Sequence, residues 1–381
     1  MRTRLLKHRA VRLGAAAATA LSTVGVPVAL SGSTAAAASS FGAVTPVALH
    51  LDNPRGLAFG SDGHLYVAEA GRGGSDCPSG ATGPEGPVCF GVTGALTRLD
   101  KDKPVRLYRF ASLAGPDGTA AEGISDLNQY GGYWHILMGL STHETPPGLT
   151  AAHTQRSNRE LGRLIRLRAG TRTTIANVGG QDWNWTNARK YRAPNDFPDA
   201  NPFVVERLDG RTWVIDAGAN TLDQVSGSTA TVRTFFPNPA TGDAVPTCLA
   251  KGPDGAYYVG ELQAFGNKAG QARVWRVRPG SPPKVWHTGF SAITGCGFDP
   301  QGNFYAVELQ RSGFNPAANP AGAVIQVTPS GKRTTLGAGK LFFPQGFAYR
   351  NHAIFVSNWS LLPGKPSGAG QPSGQIVRIQ L

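Results

Sequence analysis

Six positions in the chain have a spacing that can do chemistry. Six residues past a recurring turn stand Glu69, Met138, Asp216, Glu261, Glu308 and Asn358. Five of them carry an oxygen that can bind a cation, a hydroxyl or a backbone N–H. A column of acids that recurs with the repeat has two uses. It can hold a ligand, or it can accept hydrogen bonds from the backbone of the next loop and so close each repeat. Recurrence favours the structural use for Glu69, Asp216, Glu261, Glu308 and Asn358, because a catalytic group need occur once. The singular residues nearby, Arg55 and Glu122, are better candidates for a ligand; Thr294 and Gln345 join them as candidates, each just before or at the start of a first strand. Trp183, Trp185 and Tyr191 in the insertion 179–201 add ring faces for stacking, or they pack that insertion onto the body. His143 and His153 are the histidines expected on the same face, where a general base would act. Carboxylates gathered near one axis can hold Ca²⁺, but no compact calcium-loop motif occurs and no cofactor is expected. Zinc spacing, phosphate loops and dinucleotide fingerprints are absent from the sequence.

The elements that must position these residues repeat. Residues 53–71 read as a small-residue strand (Gly56-Leu57-Ala58-Phe59), a turn (Gly60-Ser61-Asp62-Gly63), a second strand (64–68) and an acid, Glu69. A turn with Asp-Gly between apolar runs is a strong hairpin signal. The plan returns at the turns Tyr130-Gly131-Gly132, Leu208-Asp209-Gly210, 252–255, 299–302 and 350–352. Two further strands follow in each repeat except the last, which lacks its fourth. A spare strand at 43–51 can supply it. The reading is an all-β, six-bladed β-propeller, closed by pairing the N-terminal strand with the last blade. The ends of the second strands and the starts of the first strands then share one face with the long loops. A rigid scaffold carries its sites on such loops.

Residues 1–38 read as a signal peptide. Five basic residues open the chain, an Ala-rich apolar stretch follows, and Ala36-Ala37-Ala38 precedes Ser39. The expected mature domain is 39–381, a single propeller, secreted or held in the cell envelope with no membrane span. Of 37 basic and 24 acidic residues, five basic ones and no acids lie in 1–38, which leaves a net charge of +8. The basic residues are scattered without interleaved stacking aromatics, so nucleic acid is not an expected partner; a monomer is expected. All four cysteines lie beyond residue 38, in an oxidising compartment if the chain is exported. Cys77 and Cys89 flank a Gly/Pro-rich loop and are expected to bridge. Cys248 and Cys296, in the first strands of neighbouring repeats, either pair across them or stay as buried thiols.

Four stretches carry a likeness to a known family. Leu51-Asp-Asn-Pro-Arg-Gly-Leu-Ala-Phe59, Leu65-Tyr-Val-Ala-Glu-Ala-Gly-Arg-Gly-Gly74, Val214-Ile-Asp-Ala-Gly-Ala-Asn220 and Gly255-Ala-Tyr-Tyr-Val-Gly-Glu-Leu262 resemble the ScyD/ScyE family, over about residues 43–381. These are exported six-bladed propellers of the NHL/TolB-like type, named for proteins linked to a cyanobacterial sunscreen pigment. The resemblance implies the fold and export. It supplies no catalytic residues and does not imply pigment synthesis. Function is therefore expected to be binding of a glycan or a small aromatic metabolite on the loop-rich face. The alternatives are a propeller enzyme of the lactonase, lyase or quinone-dependent dehydrogenase type, and a protein-interaction scaffold in the envelope.

Overall fold

Each repeat folds where its turn forces the chain back. Gly63, Gly210 and Gly302 sit at φ +83°, +71° and +82°, a conformation that glycine adopts without steric cost. The hairpins so formed build six four-stranded antiparallel sheets in a computed structural model of the chain. It describes residues 41–381 except 84–85, 191–196, 241, 264–267, 316–318 and 366–369. The sheets are six blades of a closed propeller, with inner strands Pro54–Phe59, Ile124–Tyr130, Pro202–Leu208, Pro246–Lys251, Ile293–Phe298 and Gln345–Arg350. In blades 1 to 5 the four strands run outward in chain order. In blade 6 the outermost strand is Val44–Leu51, which pairs antiparallel with Gly374–Gln380 from Val44↔Ile379 to Leu51↔Gly374. The ring thus closes on its own first strand, which gives blade 6 the four strands that the other blades have.

The blade faces are apolar on both sides and pack on one another. Between blades 1 and 2, Tyr66 meets Trp134 at 4.3 Å, within a buried cluster that includes Leu96, Phe110, Ile136 and Ile165. Between blades 4 and 5 the rings of Tyr258, Trp286, Phe298 and Phe304 interlock. Small residues appear where inner strands crowd the axis. A Cβ on Gly297 would stand 2.0 Å from the Phe347 ring, and one on Gly56 would stand 1.9 Å from a carboxylate oxygen of Asp126.

Both disulfides are formed. Cys77–Cys89 closes the loop of blade 1, and Cys248–Cys296 ties the inner strands of blades 4 and 5 across the channel wall. Of the two readings left open for Cys248 and Cys296, the bridge is the one found. Two bridges, with no free cysteine among the described residues, fit an extracellular or otherwise oxidising compartment. Among the described residues no helix is long and apolar enough to cross a membrane. Residues 1–38 lie outside the described residues.

Among the described residues, two α-helices interrupt the β pattern. The first, α1, is Ala151–Glu160 in the long loop of blade 2. The sequence pattern predicts a plain loop there. The helix is polar on nearly every face, so no apolar periodicity announces it. It is set by its N-cap: the Thr150 side chain accepts the N–H of His153. The second, α2, is Val178–Asn187 in the insertion before blade 3, capped by Asn177.

Candidate functional site

The face expected to carry function is the one where inner strands begin. At the top of every inner strand the pairing register slips. A slip of this kind re-aims a side chain. The residues at or beside it are Arg55, Ser125, Phe203, Thr247, Thr294 and Gln345, one per blade, all buried. Four of them reach a carbonyl at the start of the next blade's inner strand or in the segment leading to it. Ser125 Oγ donates to Pro202 O at 2.9 Å, Thr247 Oγ1 to Ile293 O at 2.5 Å, and Thr294 Oγ1 to Pro344 O at 2.9 Å. Arg55 donates to Ala121 O at 2.6 Å and to Gln345 Oε1 at 2.8 Å, while its own carbonyl accepts from Ser357 Oγ. The ring is stitched from blade to blade by these bonds. Arg55, Thr294 and Gln345 are therefore brought together at the channel mouth, with much of their polar capacity already engaged inside the protein. Glu122 stands on the same rim, half-buried, and one of its carboxylate oxygens lies 3.2 Å from where a Cβ on Gly139 would be.

The acid column lies just outside this ring and is almost wholly buried. Glu69 accepts the N–H of Asp52, Asp216 that of Asn201, Glu308 that of Ser291, and Asn358 that of Phe342. Each bond pins the segment entering a blade to the end of that blade's second strand. Glu261 differs. It accepts from the Trp275 indole at 2.6 Å and from Arg273 at 2.8 Å through two nitrogens. Burial pushes the carboxyls of Glu69 and Glu261 up, and that of Glu308 up to about 7. At position 138 the blade 2 column holds Met, which packs into the core.

The aromatic candidates are elsewhere. Helix α2 packs against the outer strand of blade 3, where Trp185 lies 5.8 Å from Phe235 and carries the Arg189 guanidinium at 4.3 Å. Trp183 stacks on His143 at 5.0 Å. His153 is held by Asp76 at 2.6 Å. These groups are not assembled with Arg55. Tyr191 lies outside the described residues.

A different aromatic group occupies the mouth. The residues just after the column acids (Ala217, Leu262, Leu309) and just before the inner strands (Val245, Ala292, Phe343) join Phe203, Phe314 and Leu361 in one buried apolar collar over blades 3 to 6. Val245, Ala292 and Phe343 take it up at φ +49°, +43° and +43°, where residues other than glycine are uncommon. Half-buried Trp359 packs on the collar at φ +52° and stacks on Phe342 at 4.6 Å, with 12° between the planes. The opposite sector, over blade 1, is polar: Asp52 is bound by Arg72 and Arg106, and Asn53 donates to Gly71 O and Gly118 O.

Below the mouth, inner strands from all six blades line a cavity of about 50 Å³. Two carboxylates of its wall, Asp126 and Glu206, were not among the expected site residues. Asp126 accepts the N–H of Val205 and Glu206 accepts from Asn128. Burial raises Asp126 to about 7; burial and the neighbouring Asp126 raise Glu206 to about 8. The signal was an acid inside an inner strand, where the other four inner strands carry none. Among the described residues no three His, Cys, Asp or Glu side chains form a group able to hold a metal ion.

A second buried acid group sits under α2. Asp182 of the helix meets Asp216 and Asp223 of blade 3, each at most 1 % exposed. Asp223 Oδ1 has no hydrogen-bond partner among the described residues, and the carboxyls of Asp182 and Asp216 meet so that a proton on one is shared with the other. Burial lifts all three: Asp216 to about 6, with Glu144 adding repulsion; Asp223 to about 8, with Asp216 adding repulsion; and Asp182 well upward, with Asp223 and Asp216 adding to it. These acids hold protons in the folded chain at a pH where the unfolded chain has released them. Stability must then fall as pH rises from about 4, the unfolded carboxyl range, through about 8. Asp223→Asn keeps an acceptor for Thr221 Oγ1 and removes one titration. It is expected to raise the melting temperature at pH 8 and to flatten the decline between pH 5 and 8. A lower melting temperature at pH 8 with the slope unchanged would show that Asp223 folds in its charged state.

No family model and no curated protein matches the chain. Among solved structures, an oxidoreductase-assigned protein (glucose dehydrogenase) from Thermus thermophilus is similar at a TM-score of 0.52, with 14% identity over 88% of this chain and 99% of that one. The PQQ-bound aldose sugar dehydrogenase from Streptomyces coelicolor is similar at a TM-score of 0.50, with 10% identity over 89% of this chain and 98% of that one. At these identities the likeness is one of architecture, and the chain shares with both proteins the fold of a six-bladed β-propeller.

Proposed function

We propose that the protein is an exported binding propeller of the ScyD/ScyE type, released from residues 1–38, that takes a small aromatic metabolite on its loop-rich face. One observation carries this reading: the Trp359–Phe342 stack on an apolar collar spanning four blades. A flat ligand gains stacking and desolvation there, while the polar sector over blade 1, where Glu122 is half-buried and Arg72 exposed, can receive its polar edge. Aromatic pairs contribute about 0.5–1.5 kcal/mol beyond the area they bury. A glycan ring, which also stacks on tryptophan, is the second ligand class.

The test is metabolite capture on the mature protein, compared with Trp359→Asn. Asparagine tolerates the left-handed backbone that Trp359 adopts, so the ring is removed with little strain. An aromatic compound retained by the wild type and lost from the variant, with melting unchanged, supports the reading. Equal retention by both removes Trp359 from the site.

The enzymatic alternative, a lactonase, lyase or quinone-dependent dehydrogenase, draws on Asp126 and Glu206, whose carboxyls are raised into the range useful for proton transfer. The same capture separates the two: a compound recovered chemically altered, and unaltered from Asp126→Asn, belongs to an enzyme.

A further inference from the structure

Blade 2 carries arginine on both faces of its outer edge. Its third strand is Arg163–Arg168 and its outer strand Thr171–Asn177. Successive residues of a strand point to opposite faces. Accordingly Arg163, Ile165 and Thr174 line a groove of about 700 Å³ on the α1 side, while Arg166 and Ile175 line another of about 360 Å³ on the side of blade 3.

The first groove holds four guanidinium groups, Arg156, Arg159, Arg163 and Arg172, against one carboxylate, Glu160. Glu160 is shared by Arg156 and Arg172, both at 2.9 Å. Arg163 has a backbone partner, Asn158 O, and burial lowers its pKa with no carboxylate to offset that effect. Arg159 is exposed and has no partner among the described residues. The second groove holds Arg166, Arg207 and Arg211 with no carboxylate in its described lining. Its positive field is visible in His135, which burial, helped by the charges of Arg166 and Arg207, pushes down to about 4.

We propose that the rim of blade 2 docks a linear polymer of phosphate groups, which crosses the blade edge and seats phosphates in both grooves. The cations are all arginine. Their planar forks match oxyanions, and forks arriving from a helix and two strands suit a tetrahedral group better than a flat carboxylate. The depth of two grooves, one on each side of a single blade, suits a chain more than a lone ion. The occupant is not a base-stacking nucleic acid: the Tyr130 ring already carries His135 at 3.5 Å and the Arg207 guanidinium at 5.0 Å. This inference is independent of the ligand proposed for the channel mouth.

The experiment is calorimetric titration of the mature protein with long-chain inorganic polyphosphate, inorganic phosphate and dextran sulfate. Arg159→Gln/Arg163→Gln and Arg166→Gln/Arg207→Gln are each expected to weaken polyphosphate binding by about tenfold or more. Inorganic phosphate, unable to span both grooves, is expected to bind far more weakly per site. Lys284→Gln/Lys332→Gln removes the same charge from other exposed positions and is expected to change little. Arg159→Gln alone alters an exposed side chain with no partner among the described residues, so its effect on binding is not a folding defect. The proposal is overturned if either arginine pair leaves affinity unchanged, if the lysine pair weakens binding equally, or if inorganic phosphate binds as tightly as the polymer. Tighter binding of dextran sulfate than of polyphosphate would overturn the choice of phosphate.

Discussion

Replacing Cys248 and Cys296 together by alanine is expected to cost about 4 kcal/mol. The two are 48 residues apart, and the chain-entropy relation for a loop of that length gives a figure of this size. The location adds to the effect. The bridge joins adjacent inner strands in the channel wall, and its sulfur on Cys248 accepts the N–H of Gly260 at 3.2 Å. Losing it loosens blades 4 and 5 where they approach the axis most closely. Denaturant unfolding of the double variant against the wild type reads the change as a lower midpoint with a similar slope. A loss under about 1 kcal/mol would mean that the interlocked rings of Tyr258, Trp286 and Phe304 hold the two blades without help. Opening Cys77–Cys89 should do less, because it closes 12 residues of a surface loop.

Arg273→Ala should be nearly as damaging, at roughly 3–5 kcal/mol. Arg273 grips Glu261 with two nitrogens, lies over the Trp275 ring at 4.6 Å and donates to Pro237 O. Glu261 is fully buried. Burial already pushes its carboxyl upward, and Arg273 is the first influence that holds it down. Without the guanidinium, a buried charge remains with the Trp275 indole, Gln263 and the N–H of residue 273 as partners. The informative companion is Arg273→Ala/Glu261→Gln, which removes the stranded charge. Recovery of at least half the lost stability in the double variant would assign the cost to that charge. No recovery would assign it to lost packing on Trp275.

The repeat made the ring readable before any coordinate. Each turn, each first strand and the spare N-terminal strand stood where the structure has them, because turn chemistry and two-residue alternation are local properties. What escaped is set by register and by partners far away in sequence. The slip at the top of each inner strand turns Arg55, Thr294 and Gln345 inward to the neighbouring blade, which a reading of exposed loop residues does not reveal. Asp126 and Glu206 share a wall because blades 2 and 3 adjoin, although they are far apart in the chain. Asp182 reaches Asp216 and Asp223 because α2 folds back under its insertion, a path that carries Trp183 and Trp185 away from the mouth. Trp359, one residue past the column, carries no signal of its own in the sequence; its ring matters because other loops bring apolar side chains beneath it. Helix α1 was hidden by its polarity, although Thr150 offered a cap.

The clasp between Val44–Leu51 and Gly374–Gln380 also bears on how the molecule is made. Its contacts join two distant segments of the chain, from Val44 with Ile379 to Leu51 with Gly374. Closing so large a loop is entropically slow, and non-local pairing of this kind lengthens folding times. Blades 1 to 5 each hold strands that are consecutive in sequence and can assemble as the chain emerges. The sixth must wait for its last strand to arrive. Until then strand Val44–Leu51 has no partner and is a bare edge, open to pairing with a second molecule. Ring closure is thus the timed step of biogenesis, and the interval before it is when two nascent chains can exchange their first strands.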